Sequence, residues 1–188
     1  MGNVTEPANP KTFFVVGIGA SAGGLRALEE YFENMPSDSH AAFVAQHLSP
    51  DYKSLMSELL KRRTNMAVQQ VIEQVSLTPN TVFLIPPGQN MVLENDHLHL
   101  MPQDRSQGRQ PNFPIDRFFQ SLSTEVREHT ISIILSGTGS DGSRGIQEIA
   151  EMGGIVLAQD PATAEFDGMP HSAISTGVVD LVLAASEL

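Results

Sequence analysis

Apolar residues along this chain follow two rhythms. Short runs rich in apolar residues at Phe13–Gly17, Ala41–Gln46, Val68–Val71, Thr81–Ile85, Thr130–Leu135, Ile155–Ala158 and Val178–Leu183 predict strands, the first of them continuous and covered on both faces. Between them, apolar positions recur at helical spacing over Leu25–Asn34, Ser49–Arg63, Ile115–Glu128, Ser143–Met152 and Met169–Thr176. Breakers agree with these limits: Met35-Pro36 ends the first helix, Ser49-Pro50-Asp51 opens the second and Gly153-Gly154 stops the fourth. Met91–Glu94 and His97–Met101 alternate on either side of Asn95-Asp96, the pattern of a hairpin. Pro102–Pro114 carries no apolar residue before Phe113 and reads as a mobile loop. Strands alternating with helices predict an α/β fold. The expected form is a three-layer, doubly wound, mostly parallel sheet with helices on both faces and one β-hairpin. Residues 1–12, polar with two prolines, read as a flexible leader, and residues 13–188 as one domain.

Composition narrows the chemistry. The chain has no cysteine, which removes disulfides, thiolate metal sites and a cysteine nucleophile, and suits a cytoplasmic location. A formal charge of −11 argues against a nucleic-acid partner, whose phosphates need compensating Lys and Arg. Lys61-Arg62-Arg63 is the only basic cluster and suits the last turn of a helix. No apolar run approaches the ~20 residues that a membrane span requires, so no membrane insertion is expected.

Candidate chemistry centres on Gly17-Ile18-Gly19-Ala20-Ser21-Ala22-Gly23-Gly24, where the first strand breaks into a glycine-rich turn. Gly19, Ser21 and Gly23 match a nucleophile elbow. Gly17, Gly19 and Ala22 match a dinucleotide fingerprint. The second reading wants an acidic residue at the end of the second strand to hold ribose hydroxyls, and His47 stands there instead. An imidazole, with an unperturbed pKa of ~6.5, suits the first reading, because it can take the serine proton. A third loop, Ser136-Gly137-Thr138-Gly139-Ser140-Asp141-Gly142, follows a strand and offers a carboxylate. In a parallel sheet all three loops meet at the carboxyl edge. Ser21, His47 and Asp141 are therefore the candidate nucleophile, base and orienting acid.

Each has a plainer alternative. Ser21 can cap the first helix, His47 can be a hydrogen-bonded strand-end histidine, and Asp141 can cap the helix at Ser143. His171, Asp160 and Asp167 are rivals for the base and the acid; Asp160-Pro161 and Asp167-Gly168 read better as turns. His97 and His99 alternate on the hairpin but lack an evident third ligand, so no metal site and no cofactor are expected.

These residues also carry a resemblance. The first turn, Gln46-His47-Leu48, Pro86-Pro87-Gly88, Ser136–Gly142, Asp160-Pro161-Ala162-Thr163 and Gly168-Met169-Pro170 resemble, in order, the catalytic domain of the CheB-type chemotaxis protein-glutamate methylesterases. The resemblance makes residues 13–188 a methylesterase catalytic domain with Ser21, His47 and Asp141 as its triad. It implies hydrolysis of γ-glutamyl methyl esters on cytoplasmic chemoreceptor helices, with release of methanol, and deamidation of some receptor glutamines. It also implies backbone oxyanion donors near Ala22, where many members carry threonine, and near Thr138, where enteric-type members carry methionine. Most members carry a receiver domain, which the twelve residues before the first strand cannot hold. The wording around Pro114-Ile115-Asp116-Arg117-Phe118-Phe119 and from Gln159 to Pro170 looks most like the methylesterase segment of large fusions with methyltransferase and sensor-kinase modules. A methylated chemoreceptor, and such a module in the same chain, are the implied partners. A non-catalytic docking module on the same fold is the alternative in a different class.

Overall fold

A computed structural model describes residues 13–47, 56–86, 88–102 and 112–188, the side chains of Gln46 and His47 excepted. The expected leader, the opening of the second helix and most of the expected mobile loop lie outside the described residues. Strands β1 (Val15–Ala20), β2 (Ala42–His47), β3 (Ala67–Gln70), β5 (Thr81–Leu84), β8 (Thr130–Ile134), β9 (Ile155–Gln159) and β10 (Leu181–Leu183) form one sheet. Its order is β10-β9-β8-β1-β2-β5-β3, with parallel pairing throughout. Chain direction across the sheet reverses at β1: β2 lies on one side and β8, entered much later, on the other. Helices α1 (Gly24–Asn34) and α2 (Met56–Lys61) cover one face; α3 (Pro114–Glu125), α4 (Ser143–Glu151) and α5 (Gly168–Ser175) cover the other. The doubly wound α/β expectation therefore holds.

Alternation along β1 sets the two layers. Val16, Ile18 and Ala20 pack with Ala27, Leu28, Tyr31 and Phe32 of α1, whereas Val15 packs with Ile115, Phe118, Phe119 and Leu122 of α3. Gly17 and Gly19 point toward α3 as well. A Cβ on Gly17 would lie 2.6 Å from Leu122 Cδ1, and one on Gly19 would lie 2.6 Å from Ile115 Cγ2. The sequence pattern ended this strand at Gly17, but it runs on to Ala20. The two glycines are strand residues whose missing side chains let a helix lie close on the sheet.

Strands β6 (Gln89–Glu94) and β7 (His97–Pro102) form the expected hairpin. Asn95 and Asp96 at its turn both have positive φ, 49° and 64°, as a two-residue hairpin loop of the favoured hand requires. The hairpin is part of a separate three-stranded antiparallel sheet completed by β4 (Val75–Ser76), a strand too short for any periodicity to reveal. Its outer edge is covered by α3: Ser121 Oγ accepts from Leu93 N at 2.9 Å and Glu125 Oε2 from Asn95 N at 3.0 Å. The predicted last strand, Val178–Leu183, is shorter in the structure, β10 pairing only through Leu181–Leu183, while Val178 and Val179 pack against the core ahead of it. The basic cluster ends α2, and Arg63 reaches Glu29 and Glu33 of α1 at 3.4 and 3.3 Å.

Because Ile115 already fills the space over Gly19, Gly19→Ala should cost about 1–3 kcal/mol by overpacking. Urea unfolding should show a lower midpoint with an unchanged slope, whereas an unchanged midpoint would mean that α3 can simply move away.

Candidate active site

A strand that feeds a helix through a tight turn exposes the residue at its carboxyl end, and Ser21 has that place after β1. It is half-buried. Its N–H donates to Ser136 O at 3.0 Å, and its carbonyl accepts from Gly24 N at 2.9 Å. The N-cap of α1 is Gly23, at φ 69°, so the plain capping role for Ser21 does not apply. A Cβ on Gly137 would lie 3.0 Å from Ser21 Cβ and against the Met169 sulfur, so the loop after β8 can lie beside Ser21 only without a side chain there.

His47 ends β2, and its backbone is in register with Ala20, the residue before Ser21. The His47 side chain lies outside the described atoms. Asp141 follows β8 and is 8% exposed. Its role is not the expected cap of α4, whose N-cap is Gly142 with no side-chain bond. Instead Asp141 takes the start of α3: Oδ2 accepts from Ile115 N at 3.1 Å and Oδ1 from Asp116 N at 2.9 Å. Asp116 returns the arrangement, its Oδ1 accepting from Arg144 N and Gly145 N at 3.0 and 2.9 Å at the start of α4. Two helix N-termini are thus capped crosswise by each other's carboxylates. Burial pushes the Asp141 carboxyl up to about 6; the amide bonds from Asp116 and Ile115 pull it down, and the Asp116 charge adds to the rise.

Ser136 emerges as a structural member of the site that sequence reasoning quoted without a role. Buried at 1% exposure, its hydroxyl donates to Ala22 O at 2.8 Å and accepts from Phe166 N at 3.0 Å. Its N–H donates to the buried Gln159 Oε1 at 2.9 Å. Gly137 N donates to Phe166 O and Met169 N to Gly137 O, at 3.0 and 2.8 Å. The turn at Ser21, the loop at 136–142 and the start of α5 are therefore one bonded unit. Among the described residues, neither the Ala22 nor the Thr138 amide donates to a carbonyl or side chain. Thr138 is exposed and Ala22 half-buried, both on the same loops as Ser21 and Asp141.

Other candidates are placed elsewhere. Asp160 starts a 3₁₀ turn, accepting from Ala162 N at 2.9 Å, as its turn reading expected. His171 and Asp167 face each other at 3.5 Å on the exposed side of α5. The rings of His97 and His99 approach the backbone carbonyls of Asn95 and Glu94 at 2.7 and 3.2 Å. Among the described residues, no group of three His, Asp or Glu could hold a metal. The dinucleotide reading of the first turn loses its physical basis. Gly17 and Gly19 serve the contact with α3, and the Glu165 carboxylate lies over Gly23, where a pyrophosphate would need the start of α1. Glu165 and Asp116 carried no sequence signal beyond ordinary surface and helix-start acids.

Known proteins match this arrangement. The CheB methylesterase profile matches residues 16–188. A protein-glutamate methylesterase/protein-glutamine glutaminase of Xanthomonas oryzae pv. oryzae is 31% identical over 171 residues, 90% of this chain and 48% of that protein. An uncharacterised 104.1 kDa protein of Rhodobacter capsulatus is 46% identical over 133 residues, 71% of this chain but 14% of that protein. The chain thus spans about half, or much less, of the length of these relatives. The crystal structure of the Thermotoga maritima CheB methylesterase catalytic domain superposes with a TM-score of 0.85 at 26% identity, covering 94% of this chain and 95% of that one. The chain belongs to the CheB methylesterase family.

Proposed function

We propose that this chain is a protein-glutamate methylesterase that hydrolyses γ-glutamyl methyl esters on chemoreceptors through Ser21, His47 and Asp141. The observation that carries the reading is positional. At the reversal of chain direction beside β1, the Ser21 turn, the end of β2 at His47 and the Asp141 loop meet at one carboxyl edge, where ligands of parallel sheets bind. Relatives named as methylesterase/glutaminase over nine-tenths of this chain support the substrate class.

The Ser21 hydroxyl attacks the γ-carbonyl carbon while the His47 imidazole takes its proton. The oxyanion that forms is held by the Ala22 and Thr138 amides, whose loops are fixed before the reaction by the Ser136 and Gln159 bonds. The tetrahedral intermediate collapses, the C–O bond to methoxide breaks, and the imidazolium returns the proton so that methanol leaves. Water, deprotonated by the same imidazole, then cleaves the acyl-enzyme to the glutamate carboxylate. A glutamine side chain follows the same course with ammonia as the leaving group. Asp141 orients the imidazole and stabilises its cation. A carboxylate has about four lone-pair positions, so the two bonds to α3 leave room for the ring nitrogen. The expected setting is the cytoplasm, with a receptor as partner and a methyltransferase or sensor-kinase module as a possible companion in the same chain.

Ser21→Ala should lower methanol release from a methylated receptor by at least about a thousandfold with an unchanged unfolding midpoint; retention of most activity would remove Ser21 from the nucleophile role. The pH response has opposite signs in activity and stability. Asp141 is ionised in the fold only above about 6, so kcat/KM should fall as pH drops through 6. Its folded pKa lies above the model value of 3.8, so the native state binds this proton more tightly than the unfolded chain. Its contribution to stability is then full below about 4 and lost as pH rises through 6. Unfolding of wild type and Asp141→Asn across pH 4–7 checks this, and parallel curves would refute it.

A further inference from the structure

Glu165 is an exposed acidic residue beside the Ser21 turn. A Cβ on Gly23 would lie 2.8 Å from Glu165 Cβ and 3.2 Å from its Oε2. The next residue, Phe166, is tied to Ser136 Oγ and to Gly137 N at 3.0 Å each, which fixes the backbone that presents Glu165. Glu165, Ser136, Gln159, Thr163, Arg26 and Glu30 line a small polar cleft of about 20 Å³. Arg26, the cation in that lining, gives its Nε–H to Glu30 at 2.9 Å. Among the described residues Glu165 makes no ion pair.

The reaction under Proposed function, on which this inference rests, changes the charge of its substrate. A neutral γ-methyl ester enters with water, and methanol, a γ-carboxylate and a proton leave; a glutamine side chain likewise goes from neutral amide to anion as ammonia takes up the proton. We propose that Glu165 is a specificity-determining residue that admits the neutral ester and repels the carboxylate product. The enzyme is thereby kept from being held by the glutamates it creates on a segment still carrying methyl esters.

The test uses a peptide bearing one γ-methyl glutamate as substrate and the same peptide with free glutamate as inhibitor, at low ionic strength. Wild type, Glu165→Gln and Glu165→Asp are compared. In Glu165→Gln the inhibition constant of the free-glutamate peptide should fall roughly fivefold, the scale of one charge pair at a wet surface. That gap should close as salt approaches about 1 M, because screening removes it. Glu165→Asp should stay near wild type, and the initial rate on the ester should not fall in Glu165→Gln. Equal inhibition constants, a gap indifferent to salt, an Asp variant that behaves like Gln, or a slower initial rate in Gln would each overturn the proposal. Absence of methanol release by wild type would remove the esterase reading and this inference with it; normal release with unchanged inhibition removes this inference alone.

Discussion

Helix α3 lies on β1 at a distance that only glycine allows, and much of the site follows from that contact. Gly17 and Gly19 leave a trough into which Ile115, Phe119 and Leu122 settle, so the start of α3 is carried to the carboxyl edge of the sheet. A helix start brought into a buried position has amides that need acceptors. Asp141 supplies them, and Asp116 supplies those of α4 in turn. Burying Asp141 is costly, and the amide bonds offset only part of that cost, which is why its carboxyl remains at about 6. The residue proposed to orient a base is thus also the cap that holds the start of α3 in place.

The nucleophile turn is fixed from the other side. Ser136 links residues 114 positions apart when it bonds Ala22, and through Phe166 and Gln159 it gathers the start of α5 and the end of β9. Oxyanion donors are effective when they need not move as charge develops. Backbone amides in loops pinned by buried bonds, such as the two proposed as donors, meet that condition.

Electrostatics at this edge are divided by depth. Asp141 is buried and held by amides; Glu165, Asp167 and His171 are exposed around the rim. Rim charges act through a few ångströms of water, so they contribute little to holding the fold. The proposed conversion of esters to carboxylates gives a chain of formal charge −11 a physical reason to keep such a rim negative.

The sequence by itself determined the alternation of strands and helices, the hairpin turn at Asn95-Asp96 and the order of the glycine-rich loops, because periodicity and turn chemistry are local. It also singled out Ser21, His47 and Asp141, since residues at the ends of parallel strands share an edge whatever the details. It could not show that β1 runs on through Gly17 and Gly19, because a glycine's role as a trough exists only once a helix lies over it. Nor could it assign Asp141 to α3 instead of the adjacent α4, or give Ser136 its three partners. Those bonds join segments more than twenty residues apart, and only the packing of α3 onto the sheet brings their atoms within reach.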